Sequence, residues 1–169
     1  LKQLGESGIS AFGIIGYISS FITMTMIGFN QGVQPIFSFN LGAKEYKKIS
    51  QIMKISFSIL ALLGIFFYTI INIFSLNIVT VFLSEIKDIN LTQRALTIYS
   101  FAYLICGFNI FIAGYFTALD RVKLSTIITS LRGIVLLITL ILLLPKLFGT
   151  PGIWITVFVT ELLTLVVSI

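Results

Sequence analysis

The sequence predicts an all-α integral membrane fold of about five spanning helices. Three observations predict it. Apolar residues make up 57% of the 169 and charged residues only 10%, whereas a soluble domain runs nearer a quarter charged and could not cover its surface with so few. The mean hydropathy is +1.10. The apolar residues fall into runs near the ~20 residues that a helix needs to cross a bilayer, divided by short polar, charged or Pro/Gly breaks.

The first run covers about 9–39 and is rich in Gly and polar side chains. It stops at Asn40-Leu41-Gly42-Ala43-Lys44-Glu45, a polar, glycine-containing stretch followed by lysines. The second covers about 49–76. Asn77 to Leu83 is apolar but too short to cross, and either continues that helix or lies at the interface. Ser84 to Arg94 is the one long polar stretch and reads as a connection. The third helix covers about 95–119, and the charged hinge Asp120-Arg121-Val122-Lys123 leads to the fourth, about 124–147. A Pro/Gly turn from Pro145 to Gly152 precedes the fifth, about 152–169. No hydropathy repeat is evident within these helices. The chain starts at Leu1, has no signal-peptide layout and stops at Ile169 inside an apolar run, so it reads as a fragment of a longer protein.

Orientation follows from Lys and Arg. Lys44, Lys47, Lys48 and Lys54 flank the first connection, and Arg121 and Lys123 the third. The alternate connections carry only Lys87 and Arg94, and Lys146. The basic side is the cytoplasmic one, which puts the N-terminus outside and the C-terminus inside. The net charge of +5 sits between apolar runs rather than in an interleaved basic patch. The expected partner is the lipid bilayer, not nucleic acid.

Polar groups in hydrocarbon are costly and need a protein or water partner. On the first helix Ser20, Thr23, Asn30, Gln31, Gln34 and Ser38 recur near heptad spacing, along roughly one face. Two readings stay open: interhelical packing, aided by Gly13, Gly16, Gly28 and Gly32, or a water-filled substrate path lined by Gln31 and Gln34. Pro35 removes a backbone donor and clashes with the preceding turn. It predicts a kink or local opening, either a fixed bend or a hinge. Asn109 sits among Cys106, Ala113 and Thr117 on a small-residue face of the third helix, with Gly107 and Gly114 on a second. It is a packing residue or a further part of the path. Cys106 is a small apolar filler. Arg132 and Glu161 are the two ionisable residues deep in helices. Each lies ~13 Å from the start of its helix, and the helices are antiparallel neighbours, so the depths match. They are expected to form an ion pair, which either fixes packing or couples transport through Glu161.

The absences exclude function classes. With no His there is no His metal site, Ser-His-Asp triad or Cys-His dyad. There is no P-loop and no close carboxylate pair for glycoside chemistry. One cysteine cannot form an internal disulfide. The chain is expected not to be an enzyme.

The stretch from Gln31 to Lys44, with its Gly, Gln-Pro-Ile, Ser, Asn and Gly-Ala-Lys, resembles the signature that closes the second helix of each half in the MATE (multidrug and toxic compound extrusion) family. Ser10-Ala11-Phe12-Gly13-Ile14 looks like the start of that helix. Ala118-Leu119-Asp120-Arg121, Ser130-Leu131-Arg132-Gly133, Leu144-Pro145, Phe148-Gly149 and Gly152-Ile153-Trp154 look like the later half of the same repeat. The variant is most similar to the bacterial multidrug-export branch. The resemblance implies a twelve-helix bundle of two six-helix lobes in the cell membrane. Residues 1–169 would be helices eight to twelve of the second lobe, and the N-terminal lobe the missing partner. It also implies export of small organic cations driven by protons or sodium ions, with no organic cofactor. One departure matters. Some members bind the coupling cation through an acidic residue in the tenth helix, but 95–119 contains no Asp or Glu, and Asp120 lies at its end. No cation ligand is therefore transferred. The competing readings are a lipid-linked oligosaccharide flippase, which needs a strongly cationic cavity where only Arg132 is a buried basic candidate, and a non-transporting membrane scaffold, which predicts that Gln31 and Gln34 reach no cavity.

Overall fold

A computed structural model describes residues 5–169. They form α1 (Gly5–Gly42), α2 (Tyr46–Thr80), α3 (Ile86–Ser100), α4 (Tyr103–Ala118), α5 (Val122–Ser130), a π-helical turn (Leu131–Val135), α6 (Leu136–Phe148) and α7 (Thr150–Ser168), with no strand among the described residues. Four spans are long and apolar enough to cross a bilayer: α1, α2, the stretch Val122–Phe148 and α7. The pair α3 and α4, bent by 45° at its break, makes a fifth when taken as one span. The architecture is all-helical and membrane-spanning, as the composition requires.

α4 lies at the centre, packed by α1, α2, α5 and α7. Small residues make this position possible. Gly107 leaves room for the Met26 thioether and Leu60, and the amide of Asn30 fills the space over Gly114. Phe111 joins the helices by ring contacts, with centroids 5.8 Å from Phe37 and 5.5 Å from Phe57. Hydroxyls and amides clamp the other end. Ser19 and Tyr103 join α1 to α4 at 2.8 Å. Asn72 donates to Ser100 at 3.0 Å, and Gln93 to Ser75 at 3.1 Å, joining α2 to α3. Such bonds are worth making where no bulk water competes. Outward, Phe12, Phe21, Leu62, Phe66, Leu142 and Val166 are exposed along their helices, as lipid-facing side chains must be.

Three expectations change. First, the polar stretch Ser84 to Arg94 is not a connection. Helix α3 begins at Ile86 and breaks from α4 near residues 101–102, instead of one straight helix over 95–119. The reason is amphipathicity. Thr92, Ala95, Leu96 and Ser100 are buried at helical spacing, while Lys87, Asn90 and Arg94 share the exposed face. A hydropathy window averages the two faces and hides the helix. Second, of the kink or local opening expected at Pro35, the opening does not occur, since α1 stays helical through it. Third, Gly13, Gly16, Gly28 and Gly32 do not admit a neighbour within the described residues, since a methyl at each would meet nothing. The close-approach glycines are Gly64, Gly107, Gly114 and Gly152. Asn77 falls inside α2, which continues to Thr80.

The ends of the bundle can be told apart. Ser38 of α1 donates to the Ala118 carbonyl at the end of α4 at 3.3 Å. The connections after Gly42 and after Ala118 therefore lie at one end. Lys87 and Arg94 of α3 share a cavity with Thr150, Pro151 and Trp154 of α7, which puts the start of α7 at the other end.

Candidate functional site: an amide, a guanidinium and a carboxylate inside the bundle

Glu161 is 3% exposed, the one acidic residue buried among the described residues. Helix α7 carries it inward beside a threonine stripe. Thr156, Thr160 and Thr164 each bond the carbonyl four residues earlier at 2.7 to 2.8 Å, which satisfies their hydroxyls without a partner helix. Gly152, on the same stripe, lets α7 approach the backbone of Leu144 and Pro145 so closely that any side chain there would collide. The α6–α7 turn is thus tight, and α7 is held against α6 and the π turn that precedes it.

Both carboxylate oxygens are occupied. Arg132 Nε donates to Oε1 at 2.6 Å. Asn109 Nδ2 donates to Oε2 at 2.6 Å and to the Glu161 main-chain carbonyl at 2.8 Å. Asn109 is 1% exposed and spends both amide hydrogens on this one residue. Its carbonyl oxygen, Oδ1, is buried with no hydrogen-bond partner among the described residues. Arg132 comes from the π turn Leu131–Val135. A π turn carries an extra residue against an α-helix, re-aims the side chains that follow, and is frequent at functional sites. Gly133 within it was the only sequence signal, and it is not specific.

The cluster separates two cavities. The first, of about 260 Å³, is lined by Asn30 and Gln34 of α1, Asn109, Gly114 and Thr117 of α4, Ser125 and Thr129 of α5, and Arg132. The second, of about 240 Å³, is lined by Tyr99, Thr129, Arg132, Gly133, Thr160 and Glu161. Arg132 faces both. The structure therefore brings together Gln34, Asn109, Arg132 and Glu161, which the sequence singled out. It does not bring in Gln31, which is exposed and absent from the cavity wall. At 3.6 residues per turn Gln31 sits ~100° round α1 from Asn30, and Asn30 takes the inward place. Pro35 is exposed and off the wall. Asn30, Thr117, Ser125 and Thr129 complete the lining; the first belonged to the polar stripe read from sequence. No group of His, Cys, Asp and Glu that could hold a metal occurs among the described residues. Chemically the site has hydrogen-bond donors and acceptors and one neutralised ion pair, with no nucleophile beside a base.

The MatE family profile matches residues 1–143. The chain belongs to the MatE family. A curated relative of this MatE chain, the probable multidrug resistance protein YoeA of Bacillus subtilis (strain 168), is 22% identical over 129 residues, covering 76% of the chain and 28% of YoeA. Two solved structures share the fold. One is the outward-facing conformation of a multidrug resistance MATE family transporter of the MOP superfamily, with a TM-score of 0.89 and 15% identity over 97% of this chain and 37% of that one. The other is MATE in complex with MaL6, with a TM-score of 0.88 and 15% identity over 97% and 38%. The MatE chain thus spans between about a quarter and two fifths of the length of these relatives. The fold likeness runs on through α7, and so through Glu161, past the end of the profile match.

Proposed function

We propose that this chain is the second-lobe portion of a secondary multidrug exporter, which carries small organic cations out across the cell membrane in exchange for protons or sodium ions. The observation that carries the reading is the first cavity, a polar chamber inside an otherwise apolar bundle. Asn30, Gln34, Asn109, Thr117, Ser125 and Thr129 offer dipoles to it, and polar groups at membrane depth are costly unless protein, water or a ligand pairs with them. A weakly hydrated organic cation is bound well by amide and hydroxyl oxygens and apolar walls, without a fixed counter-charge. Ile27, Ile110 and Ile128 supply the apolar walls. Membership of the MatE family and the multidrug names of its relatives support the substrate class.

The same wall weighs against a flippase for a pyrophosphate-linked substrate. Its only basic residue is Arg132, and Glu161 neutralises it. Of the two residues that separate a scaffold from a transporter, Gln34 lines a cavity, which favours transport, and Gln31 does not.

The test is drug accumulation in cells expressing the complete protein. The expected result is reduced accumulation of a fluorescent cation such as ethidium, with the reduction lost when Asn30→Leu and Gln34→Leu fill the chamber while membrane insertion is unchanged. Equal accumulation with and without the protein, across several cationic dyes, would overturn the proposal.

A further inference from the structure

We propose that the cavity between the starts of α3 and α7 binds the phosphate group of an anionic lipid headgroup, held by Lys87, Arg94 and the Trp154 indole. The site lies at the end of the bundle away from the connections after Gly42 and Ala118, and it is independent of the exporter reading.

The sequence builds the site locally. Lys87, Asn90 and Arg94 are spaced three and four residues apart, so they share one face of α3 over two turns. That face borders a cavity of about 380 Å³, within the ~300–1,000 Å³ typical of small-ligand sites. Helix α7 starts at the same end and completes the wall with Thr150 and Trp154.

Three observations point to an anion. First, the wall carries two cations and no carboxylate. Neither Lys87 nor Arg94 has a carboxylate within ion-pair distance among the described residues. Glu85 and Asp88 are close in sequence but are not part of the wall. Second, α7 opens with no acidic residue in its first turn and no side-chain cap, so the positive end of its dipole adds to the two cations. Third, Trp154 lines the cavity although it is only 5% exposed. Its indole N–H is a donor only, and no side-chain hydrogen bond among the described residues uses it. A buried donor is costly unless a ligand or water accepts from it.

The same wall favours a lipid over a free ion. Leu91, Ala95 and Ile98 line the cavity beside the cations, and their spacing runs an apolar stripe along α3 away from its start. The wall is thus polar at the ends of the helices and apolar further in, the order in which a lipid presents its phosphate and then its hydrocarbon. Arg94 lies ~10 Å further along α3 than Lys87, and its long stem can lie on the apolar stripe while its head turns back to the polar end. A free phosphate would use the polar end alone and leave the stripe against water.

The experiment titrates the purified complete protein in detergent with phosphatidylglycerol and with phosphatidylcholine of the same acyl chains, and reads bound lipid by native mass spectrometry, with inorganic phosphate as competitor. One phosphatidylglycerol is expected to be held more tightly than any phosphatidylcholine and to resist an equal concentration of inorganic phosphate. Lys87→Gln and Arg94→Gln are each expected to weaken it roughly fivefold, and the two together about 25-fold. Trp154→Phe, which keeps a ring and removes the N–H, is expected to weaken it by less than the double variant. Arg94→Lys is expected to retain most of the affinity, and it carries the test should Arg94→Gln fail to fold. Lys47→Gln with Lys48→Gln, at the other end, is expected to leave the affinity unchanged. Equal affinity for the two lipids, or an equal loss from the Lys47 and Lys48 variant, would show general surface attraction and overturn the proposal. Displacement by an equal concentration of inorganic phosphate would assign the cavity to a free anion and overturn the lipid. A complete protein that retains no phosphatidylglycerol would overturn it too, since another part of that protein then covers the two cations.

Discussion

At the residue scale, the Arg132–Glu161 pair has unequal partners, and this makes its contribution testable. Glu161 has 5% of its side chain exposed and Arg132 has 24%. Removing one partner of a buried pair costs about 3–5 kcal/mol because the other charge is left unpaired. The charge left behind matters most where it is deeper. Arg132→Gln leaves a carboxylate with only Asn109 to hold it, and is expected to lose the full amount. Glu161→Gln leaves a guanidinium that already borders two cavities, and is expected to lose less. Thermal unfolding in detergent should show this order, with the double variant recovering part of both losses; the reverse order would place Arg132 as the deeper charge. Gly114 gives a second test. A methyl there collides with the Asn30 amide, so Gly114→Ala is expected to cost about 1–3 kcal/mol. Asn30→Ala should cancel most of that cost, since Asn30 supplies the clash. If the two losses simply add, another contact holds Gly114.

At the element scale, what could be read from the sequence divides cleanly by physical cause. Long, mainly apolar runs identified α1, α2, α6 and α7, because a span must be apolar over about 20 residues whatever polar stripe it turns to its neighbours. The match of depths between Arg132 and Glu161 followed from helical rise and a short turn, both local quantities. Helix α3 was hidden because its polar face cancels its buried stripe of Thr92, Ala95, Leu96 and Ser100. The π turn at Leu131–Val135 was hidden because it adds a residue without changing composition. Asn30 and Gln31 both belong to the polar stripe of α1, and Asn30 rather than Gln31 lines the cavity, a difference of one residue that only the packing of α1 on α4 decides. The glycines were read alike, yet only some meet a neighbour. Gly64 illustrates the distinction. A Cβ there would lie 2.9 Å from the Tyr103 carbonyl and 3.2 Å from Leu104 Cα, both backbone atoms at the bend between α3 and α4. Backbone cannot rotate away, so Gly64→Ala is expected to move α2 off the bend and destabilise the bundle by about 1–3 kcal/mol, read as a lower unfolding temperature. An unchanged value would show that the bend yields.

At the scale of the whole molecule, the charge distribution and the helix packing bear on each other. The packing joins the ends of α1 and α4 through Ser38 and Ala118, so Lys44, Lys47, Lys48, Arg121 and Lys123 gather at one end. Lys87, Arg94 and Lys146 belong to the other. We propose that the end with the excess of Lys and Arg is the cytoplasmic one, since translocating them is disfavoured. Single cysteines can test this in intact cells expressing the complete protein, after Cys106→Ala removes the native thiol, which is buried. Lys47→Cys and Lys123→Cys are expected to resist a membrane-impermeant maleimide until the cells are opened. Lys87→Cys and Lys146→Cys are expected to react from outside. The pattern of any failure is informative. If all four positions reverse together, the bundle is intact and some other part of the complete protein overrides the basic connections. If Lys47→Cys and Lys123→Cys fall on different sides, the pairing of α1 with α4 is wrong, and with it the chamber between Asn30 and Gly114.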